Sequence, residues 1–373
     1  MVAPKVTVVL VGGGTIAPLH AKHLLESPDC ELVAIIDPFP PGERLAKELN
    51  VEHFSDVPAL LKTLSTQPDA YIVCVPSGLH VSVALSIVAV AKPKVILVEK
   101  PFSTDSISGK ELIAKTNECG VKVIAGHHRR FNPYLALARQ VVVEGRIGKV
   151  NTISGLWTCK KNDGYFEPTW RKSRLGGGGP VWTNMVHDID ALHYIVGSLV
   201  AKVCVFPTAR DRTHDGIRPE DLVEEGGVFM LHFKNGIVGT FVLSDNVVSP
   251  YGWDMATGEN PLYPKAEGSV DCYRIFGTKG TWSVPDNTLW TYEKKQAEKL
   301  NLEIGWNVPL TRETLAVRDA IPFQEQVKNL VQVARGECEP RCSGRDGLAA
   351  VQVCEAIMKG LTAGDGKIVL VDV

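Results

Sequence analysis

The segment VEKPFSTD, residues 98–105, carries an amine in a position where chemistry could occur. Lys100 stands between an acid and a proline, directly after the apolar run VILV. A lysine here either marks the point where a buried strand reaches the surface or is placed against a substrate. A second candidate is His187, in the helix-like segment VWTNMVHDIDALHYIVG. Lysine and histidine both serve as proton donors and acceptors in enzymes, so the pair directs attention to acid–base chemistry.

Helical periodicity puts His187 on the polar side of its predicted helix. Thr183, Asn184, Asp190 and Ala191 share that side. The opposite side is an apolar stripe made of Val181, Met185, Ile189, Leu192 and Val196. An exposed surface helix would show the same pattern. The preceding segment LGGGGP favours a site, because four glycines let the backbone pass very close to a ligand or cofactor.

The length and composition bound the class of protein. A chain of 373 residues is too long for one ordinary core, which predicts two domains. Apolar residues make up 45% and charged residues 22%, as in ordinary globular proteins. The net charge of −2 gives no electrostatic case for nucleic acid or an anionic membrane as partner. No apolar run approaches the roughly 20 residues of a membrane helix, and MVAPKVTVVLVGGG is predicted to be a first strand, not a signal peptide.

The cysteines indicate a reducing compartment. There are 9, an odd number for a disulfide framework. The closest pair, Cys338 and Cys342, lacks a neighbouring Cys/His pair that would complete a zinc site. We therefore predict reduced cysteines, a cytoplasmic location and no metal site.

The first third of the chain has the pattern of a nucleotide-binding unit. In KVTVVLVGGGTIAPLHAKHLLES, a strand is followed by Gly12, Gly14 and Ala17 at G-x-G-x-x-A spacing and then by a helix. Small residues there permit a tight turn and close approach of a pyrophosphate, although three glycines also make a plain turn. The next strand, ELVAIID, ends in Asp37, where a carboxylate would bind a ribose hydroxyl and repel a 2′-phosphate. NAD is therefore favoured over NADP.

Strand and helix patterns then alternate through AYIVCVPS, LHVSVALSIVAVA, VILVEKP, a helix over 106–118 and VKVIAGHH. This alternation predicts a doubly wound parallel sheet, a Rossmann fold, in a domain over 1–130. Ligands of such sheets bind beyond the carboxyl ends of the strands. Side chains just past those ends are Ser77, His80, Glu99, Lys100 and His127. Lys100 is thus expected on the ligand side of the sheet.

The alternation stops near Lys149, and strand-like runs follow in a second domain over 131–373. FKNGIVGTFVL contains Asn-Gly between two such runs, a strong hairpin signal, and GTKGTW predicts another turn. Residues 250–268 show no periodicity and are predicted to form a long loop over the site or an interface. A C-terminal helix over about 345–362 is a candidate for packing back near the first domain.

Six motifs in order make the chain resemble the glucose–fructose oxidoreductase and inositol dehydrogenase (Gfo/Idh/MocA) family over its full length. They are VGGGTIAPLH, CVPSGLH, EKP, GHHRRFNP, GRIGKV and GGGPVWTNMVHDID. The resemblance implies a second domain of the α+β class, built on a large open, mostly antiparallel sheet. It also implies a homodimer or homotetramer, with the subunit contact formed by that sheet.

The resemblance assigns the proton transfer to Lys100 and His187, which match the family positions residue for residue, and leaves open which of the two is the formal base. Pro101 would fix the turn, through a cis bond as in relatives. Many relatives have an Asp four residues before the histidine, where this chain has Thr183 beside Asn184. This neutral pair weakens any direct transfer of inositol or glucose specificity.

The remaining site predictions concern the cofactor and the substrate. Predicted cofactor contacts are Gly12, Gly14, Thr15, Ile16, Asp37, Val75, Ser77, His80, Glu99, Lys100 and Arg129. Predicted substrate contacts are Lys100, Trp170, Arg171, Thr183, Asn184 and His187. Arg171 and Arg174 either lie in a solvated loop with salt bridges or meet an anionic or heavily hydroxylated substrate. Of Arg129 and Arg130, one is expected at cofactor or substrate and the other at the interdomain link. His80 is expected to orient its helix near the nicotinamide.

Three functions remain open at this point. The leading hypothesis is an NAD-dependent dehydrogenase of a secondary hydroxyl on a sugar, cyclitol or related polyhydroxy compound. The same site could run in reverse, as an NAD(P)H-dependent reductase of a ketosugar, ketone or dihydrodiol-type intermediate. A catalytically silent nucleotide-sensing regulator is the third hypothesis, and the intact Lys100 and His187 argue against it.

Overall fold

The structure, a computed structural model, describes residues 3–174, 176–213, 216–268 and 270–372. The chain divides into two compact units. The first comprises the residues up to Asn132 together with Ala320–Val351. The second comprises Pro133–Asp319 and the residues from Gln352 onward. Each unit is organised around its own sheet.

The first unit contains the predicted parallel sheet. Its six strands are β1 Val6–Val11, β2 Cys30–Ile36, β3 Glu52–Phe54, β4 Ala70–Val73, β5 Val95–Val98 and β6 Lys122–Ala125. They lie in the order β3-β2-β1-β4-β5-β6, and each neighbouring pair is parallel. Every residue of β4 and of β5 is buried, as expected where helices cover both faces of a sheet. The prediction of a Rossmann-like sheet is confirmed.

Helices alternate with these strands along the chain. They are α1 Ala17–Glu26, α2 Pro40–Leu49, α3 Val57–Thr63, α4 His80–Val90 and α5 Ser106–Glu118. The predicted helix over 106–118 has the observed bounds. Its start is fixed by Asp105, whose Oδ1 accepts the N–H of Ser108 at 2.8 Å, since a carboxylate at this position satisfies an otherwise unpaired donor of the first turn.

A helix from late in the sequence completes the core of the first unit. This helix, α10, spans Pro322–Ala334 and buries Val327, Leu330 and Val331 in the cluster formed by β1, α1 and their neighbours. The following helix, α11, spans Gly344–Ala363 and matches the predicted C-terminal helix. Residues 344–351 of α11 belong to the first unit and the remainder to the second.

The second unit contains a nine-stranded sheet in the order β14-β13-β12-β11-β7-β10-β9-β8-β15. The strands are β7 Val150–Thr158, β8 Val200–Pro207, β9 Gly226–Phe233, β10 Val238–Ser244, β11 Tyr273–Gly277, β12 Gly280–Val284, β13 Thr288–Thr291, β14 Thr311–Thr314 and β15 Ile368–Leu370. The hairpin predicted at Asn-Gly is β9–β10, and the turn predicted at GTKGTW joins β11 to β12. All pairs are antiparallel except β7 with β10, which is parallel. The prediction of a mostly antiparallel sheet is confirmed.

Besides the end of α11, the α-helices described in the second unit are α6 Pro133–Val143, α7 Val186–Val196, α8 Trp253–Thr257 and α9 Lys294–Leu300. Helix α8 lies inside 250–268, which was predicted as loop throughout. The indole of Trp253 is fully buried, and Asp254 accepts a hydrogen bond from Trp157 Nε1 at 3.3 Å. These contacts order a segment in which no periodicity is visible. None of the helices described is long and apolar enough to cross a membrane.

Candidate active site

The glycine loop between β1 and α1 has the shape that the sequence predicts. Gly12 adopts φ +102°, and a Cβ there would lie 2.7 Å from the carbonyl oxygen of Cys74, so only glycine fits. Among the described residues, a Cβ on Gly14 would meet no atom within 4 Å apart from its own chain neighbours. Thr15 and Ile16 follow, and α1 begins at Ala17. The loop therefore leaves room beside Gly14, at the start of α1, where the helix dipole favours an anion.

Asp37 directly follows β2 and joins the glycine loop. Its Oδ2 accepts the N–H of Gly13 at 2.6 Å, and its Oδ1 accepts the N–H of Phe39 at 2.9 Å. Gly42 packs against the same side chain, where a Cβ would lie 2.2 Å from the Asp37 Cβ. Each carboxylate oxygen has a second lone pair, so the carboxylate can still accept a ribose hydroxyl.

The carboxyl ends of β4 and β5 are tied together by His80. Its Nδ1 lies 2.8 Å from the carbonyl oxygen of Pro101, and its Nε2 lies 2.9 Å from that of Val75. Burial lowers the pKa of the His80 imidazole, against these two carbonyl contacts, which favour the protonated form. Ser77 is exposed in the same loop. The ring thus holds the loop after β4 against the turn after Lys100.

Lys100 is half-buried at the end of β5, and the Lys100–Pro101 peptide bond is cis, as the resemblance implied. The backbone N–H of Lys100 donates to Glu99 Oε2 at 3.0 Å. Glu99 Oε1 lies 2.8 Å from Nε2 of the buried His20 in α1. The main chain at Lys100 is therefore anchored to the helix that follows the glycine loop. Both oxygens of Glu99 contact protein groups, and its contact with the cofactor stays a prediction.

The buried carboxylate of Glu99 allows a prediction of how the stability of the protein changes at acid pH. Burial alone would raise its pKa, but the hydrogen bond and charge of His20, with Lys100 and His128, lower it from 4.5 to about 2. A lowered pKa contributes stability above pH 4.5 that is lost as the pH falls through about 2. We expect Glu99→Gln to lower the free energy of unfolding near neutral pH by about 3 kcal/mol. In urea titrations this deficit should shrink as the pH falls. The exposed Glu48→Gln serves as control, and a deficit independent of pH would contradict the assignment.

The segment GHHRRFNP after β6 places two arginines in buried positions. Arg129 is 3% and Arg130 is 5% exposed. Arg130 donates to the carbonyl oxygen of Arg341 at 3.1 Å and pairs with Asp346 at 3.2 Å, both within the first unit. Arg130 therefore secures the start of α11. The assignment of Arg129 to the cofactor stays a prediction.

In the second unit, His187 lies in the first turn of α7 and is 6% exposed. The predicted helix over 181–196 is not one α-helix, because Val181–Met185 form a π-helical turn. The spacing of Thr183 and Asn184 from His187 therefore differs from the predicted α-helical spacing, as is common where a π-turn re-aims side chains at a functional site. Leu175, of the predicted LGGGGP loop, lies outside the described residues.

On the polar side predicted for this helix, His187, Asp190 and Ala191 are buried, while Thr183 and Asn184 are half-buried. Asp188 and Asp190 are fully buried, and Asp188 accepts a hydrogen bond from the hydroxyl of Tyr273. His193 Nε2 accepts the N–H of Val200 at 3.0 Å. The alternative of an exposed surface helix is therefore wrong. The helix is packed on all sides, which fixes the main chain that carries His187.

Comparison with known proteins decides the family. The model of the oxidoreductase family's NAD-binding Rossmann fold (GFO_IDH_MocA) matches residues 6–127, and that of its C-terminal alpha/beta domain matches 139–366. The chain belongs to the Gfo/Idh/MocA oxidoreductase family. It is 23% identical over 354 residues to inositol 2-dehydrogenase of Rhizobium meliloti, covering 94% of this chain and 96% of that protein. It is 24% identical to the uncharacterized oxidoreductase YrbE of Bacillus subtilis, over 95% and 94% of the two chains.

Solved structures of Gfo/Idh/MocA proteins share the fold. The WlbA dehydrogenase from Bordetella pertussis, in complex with NADH and UDP-GlcNAcA, has a TM-score of 0.76 and 22% identity, covering 100% of this chain and 99% of that one. The first unit of the present chain is an NAD-binding Rossmann domain of this family, because the family's Rossmann model matches it. The space beside Gly14 and the carboxylate of Asp37 fit a dinucleotide.

Trp170 and Arg171, predicted at the substrate, lie in a short 3-10 helix of the family's second domain. The guanidinium of Arg171 lies 4.2 Å from the ring centroid of Tyr165 and 5.2 Å from that of Trp170. Its Nη1 donates to the carbonyl oxygen of Tyr165 at 2.9 Å. Arg171 is thus held by aromatic rings, and its contact with a substrate stays a prediction.

A buried charged cluster in the second unit was missed by the sequence analysis. Lys161 pairs with Asp245 at 3.6 Å, Arg212 contacts Asp245 and pairs with Glu225 at 3.8 Å, and Lys161 donates to Asn184 at 2.9 Å. The cluster forms because β7 and β10 run parallel, which brings their carboxyl ends to one edge of the sheet. The signal available in the sequence is weak: polar residues follow two strand-like runs, in TCKKND and LSDN.

Glu224 was also missed, and it supports the segment that carries His187. It is 3% exposed, and its Oε1 accepts the N–H of Val181 at 3.1 Å, where the π-turn begins. A Cβ on Gly179, which has φ +91°, would lie 2.4 Å from the same oxygen. Residue 179, the last glycine of LGGGGP, must therefore be a glycine, because the carboxylate of Glu224, a residue of the protein itself, occupies the space that a Cβ would need. Burial raises the pKa of Glu224 to about 7.

Because the pKa of Glu224 is raised, the direction in which protein stability changes with pH can be tested. The folded state binds this proton more tightly than the unfolded chain, so stability is lost as the pH rises from 4.5 through about 7. Glu224→Gln keeps an oxygen for Val181 and removes the charge. We expect this substitution to raise the free energy of unfolding by up to about 3 kcal/mol above about pH 7, and to change that free energy little below pH 4.5.

The adjacent acid provides a control of opposite sign. Burial opposes ionisation of Glu225 too, but hydrogen bonds from Arg212, Asn246 and Asp211 lower its pKa. Glu225→Gln should therefore destabilise the protein at neutral and alkaline pH. Urea titrations of both variants on either side of neutrality check the pair. Destabilisation by Glu224→Gln at alkaline pH would contradict this account of the buried charge.

Proposed function

We propose that the protein is an NAD-dependent dehydrogenase that oxidises a secondary hydroxyl of a sugar, cyclitol or related polyhydroxy compound. The observation that supports this most is the setting of Lys100. It follows a buried parallel strand on the ligand side of an NAD-binding sheet, and its main chain is anchored by Glu99 to the helix after the glycine loop. The inositol 2-dehydrogenase among its relatives supports the substrate class.

Oxidation of an alcohol removes a hydride from the carbinol carbon and a proton from the oxygen. When bound, the nicotinamide accepts the hydride. We propose that Gly12, Gly14 and Asp37 hold the dinucleotide, with the carboxylate of Asp37 selecting NAD over NADP by repelling a 2′-phosphate. The products are a ketone, NADH and a proton.

The proton is proposed to leave through this chain's own side chains. In this scheme His187 accepts the hydroxyl proton, while Lys100 donates to the same oxygen and stabilises its developing negative charge. Tight packing of α7 and the anchored turn at Pro101 keep each group in place. Run backward, the same groups return a proton to a ketone oxygen.

Turnover on a defined panel tests the proposal. Purified protein with NAD, and separately with NADP, is mixed with myo-inositol, scyllo-inositol, D-glucose, D-glucuronate and aliphatic hydroxy acids, and absorbance of the reduced cofactor is followed. The matching ketones with NADH or NADPH cover the reverse direction. We expect turnover of at least one polyhydroxy compound, faster with NAD. Tight binding of NAD without turnover in either direction would contradict the proposal that the protein is an enzyme and would favour a nucleotide-sensing regulator.

We further propose that two or more copies associate through the open face of the nine-stranded sheet. Apolar side chains exposed on β8, β9 and β15 lie side by side there: Phe206 pairs across strands with Val228, and both Met230 and Ile368 pair with Cys204. Met230 is 57% and Ile368 is 68% exposed, and contiguous exposed apolar surface of this kind commonly marks an interface.

Charge on that face should separate the copies. We expect wild-type protein to be a dimer or tetramer by light scattering after size exclusion, and Phe206→Glu with Met230→Glu to be monomeric. Leu262→Glu, at a position that is 86% exposed and outside the sheet, is the control. A monomeric wild-type protein would contradict the proposed association.

A further inference from the structure

Lys161 occupies an unusual place for a lysine, at the edge of the second unit's sheet. It follows β7 by three residues, and its backbone N–H donates to the carbonyl oxygen of Asp245 at 3.0 Å, just past β10. Its side chain is 4% exposed. The neighbouring Lys160, by contrast, is exposed. Burying an ammonium costs free energy unless it is paired and hydrogen-bonded, so the position calls for an explanation.

The ammonium of Lys161 is directed at Asn184. Its Nζ lies 2.9 Å from Asn184 Oδ1, 3.2 Å from the hydroxyl of Tyr165 and 3.6 Å from Asp245 Oδ2. The ring of Tyr165 lies under the charge, at 4.3 Å from Nζ to the centroid. These contacts fix the position of Nζ, and the shortest of them is to the amide in the π-turn before His187.

The contact determines the orientation of the Asn184 amide. An ammonium has only donors, so the amide atom that faces it must be the oxygen. The hydroxyl of Thr183 also lies 2.8 Å from Oδ1 and shares its single proton between this oxygen and the carbonyl of Gly179. With Oδ1 occupied on two sides, the NH₂ group points away from Lys161. Within the described part of the chain this NH₂ group donates to no protein acceptor, and Asn184 is only half-buried.

We infer that Lys161 is a positioning residue that locks Asn184 with its NH₂ group facing the substrate, so that Asn184 selects substrates with an oxygen acceptor at that point. This inference rests on the proposed function and deepens it. An acceptor oxygen is a hydroxyl, carbonyl or carboxylate oxygen of a polyhydroxy compound or its acid. An ammonium at the same position is rejected, because two donors would meet. Without Lys161 the amide is free to turn its oxygen outward.

Four variants distinguish the role of the Asn184 NH₂ group, the proposed donor, from the role of Lys161, which holds that group in place. Asn184→Asp keeps an oxygen for Lys161 and Thr183 but has no N–H to donate, and Asn184→Ala removes both. Lys161→Met keeps most of the apolar side chain and removes the ammonium. Lys160→Met makes the same change at the exposed neighbour and is the matched control. The probes are myo-inositol and D-glucuronate with NAD, and the binding of NAD is measured separately to show that the first unit is intact.

The variants are expected to change KM more than kcat, and the effects of Lys161→Met and Asn184→Ala are expected not to add in the double variant. Asn184→Ala should raise KM about tenfold, with kcat changed by less than about threefold, because a hydrogen bond to the substrate is lost. Asn184→Asp should raise KM as much where the substrate atom is a carbonyl or carboxylate oxygen, and less where it is a hydroxyl, which can donate to the carboxylate. Lys161→Met should raise KM about fivefold, and the double variant Lys161→Met/Asn184→Ala should be no worse than Asn184→Ala alone. An unchanged KM in Lys161→Met, or effects that multiply in the double variant, would overturn the inference.

A crystallographic readout keeps this test independent of the proposed function. If wild-type protein oxidises neither probe nor any other compound of the panel, the proposed function fails. Structures of wild type and Lys161→Met at about 1 Å resolution, where amide oxygen and nitrogen can be assigned, then decide the positioning role. We expect Oδ1 of Asn184 to face Lys161 in the wild type and the amide to be flipped or disordered in the variant. An amide that keeps its orientation without Lys161 would overturn the inference.

Discussion

Lys100→Met is expected to lower kcat by about 10²- to 10⁴-fold, the usual range for loss of a positioned acid–base group. Methionine keeps an unbranched side chain of similar length and cannot donate or accept a proton. The turn itself should survive, since Glu99 holds the backbone N–H of residue 100 and His80 holds the carbonyl of Pro101. The loss should therefore appear in turnover and leave the dissociation constant of NAD nearly unchanged.

The opposite end of the same strand supplies the control for Lys100. Lys94 directly precedes β5, is exposed and pairs with Asp69 at 2.8 Å. Lys94→Met removes the same charge from the same strand and should leave kcat within about threefold of wild type, as expected for a surface ion pair. Steady-state rates on the best compound of the panel measure both variants. Equal losses in the two would show that Lys100 acts through charge or folding and not through proton transfer.

His187→Asn is expected to reduce kcat/KM by a similar factor of about 10² to 10⁴ and to change its pH dependence. If His187 accepts the hydroxyl proton, the rate of alcohol oxidation in wild-type protein falls at acid pH, where the imidazole is already protonated. The variant should lose that limb of the profile. The main chain at His187 should be preserved, because Val181 remains bound to Glu224 and α7 remains enclosed.

Two comparisons make the histidine result specific. His232→Asn, on the exposed face of β9 that is proposed to join the subunits, should leave the pH profile unchanged, and light scattering checks that the association of the subunits is unaltered. The double variant Lys100→Met/His187→Asn should be far less impaired than the product of the single losses, since groups that serve one proton transfer act as a unit. An acid limb that persists in His187→Asn and vanishes in Lys100→Met would assign the base to Lys100 instead.

Local patterns were sufficient to predict most of the first unit. Continuous apolar runs such as VILV and glycines after a strand each act within a few residues of sequence, and each predicted element was found. Helix α10 was not predicted to belong with them. Its place in this core depends on packing against α1, about three hundred residues earlier, and against β5 and β6, about two hundred residues earlier, for which a short segment gives no signal.

Those parts of the candidate site that require one residue type at one position could be predicted from the sequence. Lys100, Asp37 and Gly12 lie where strand ends and turn geometry require them. The surroundings of His187 were not predictable, because three features there depend on tertiary packing. They are the π-turn at Val181–Met185, the buried Glu224 under Gly179, and the contact of Lys161 with Asn184. Each requires segments whose proximity is set by the order of strands in the second sheet.

Transfer of deuterium from substrate to cofactor is the most direct test of the central claim. The panel compound with the highest turnover is prepared with deuterium at the carbinol carbon and incubated with NAD and wild-type protein, and the cofactor is analysed by mass spectrometry. We expect the deuterium to appear in the reduced cofactor and the organic product to be the ketone. Reduced cofactor without deuterium, or consumption of the substrate without a ketone, would contradict oxidation of a secondary hydroxyl by direct hydride transfer.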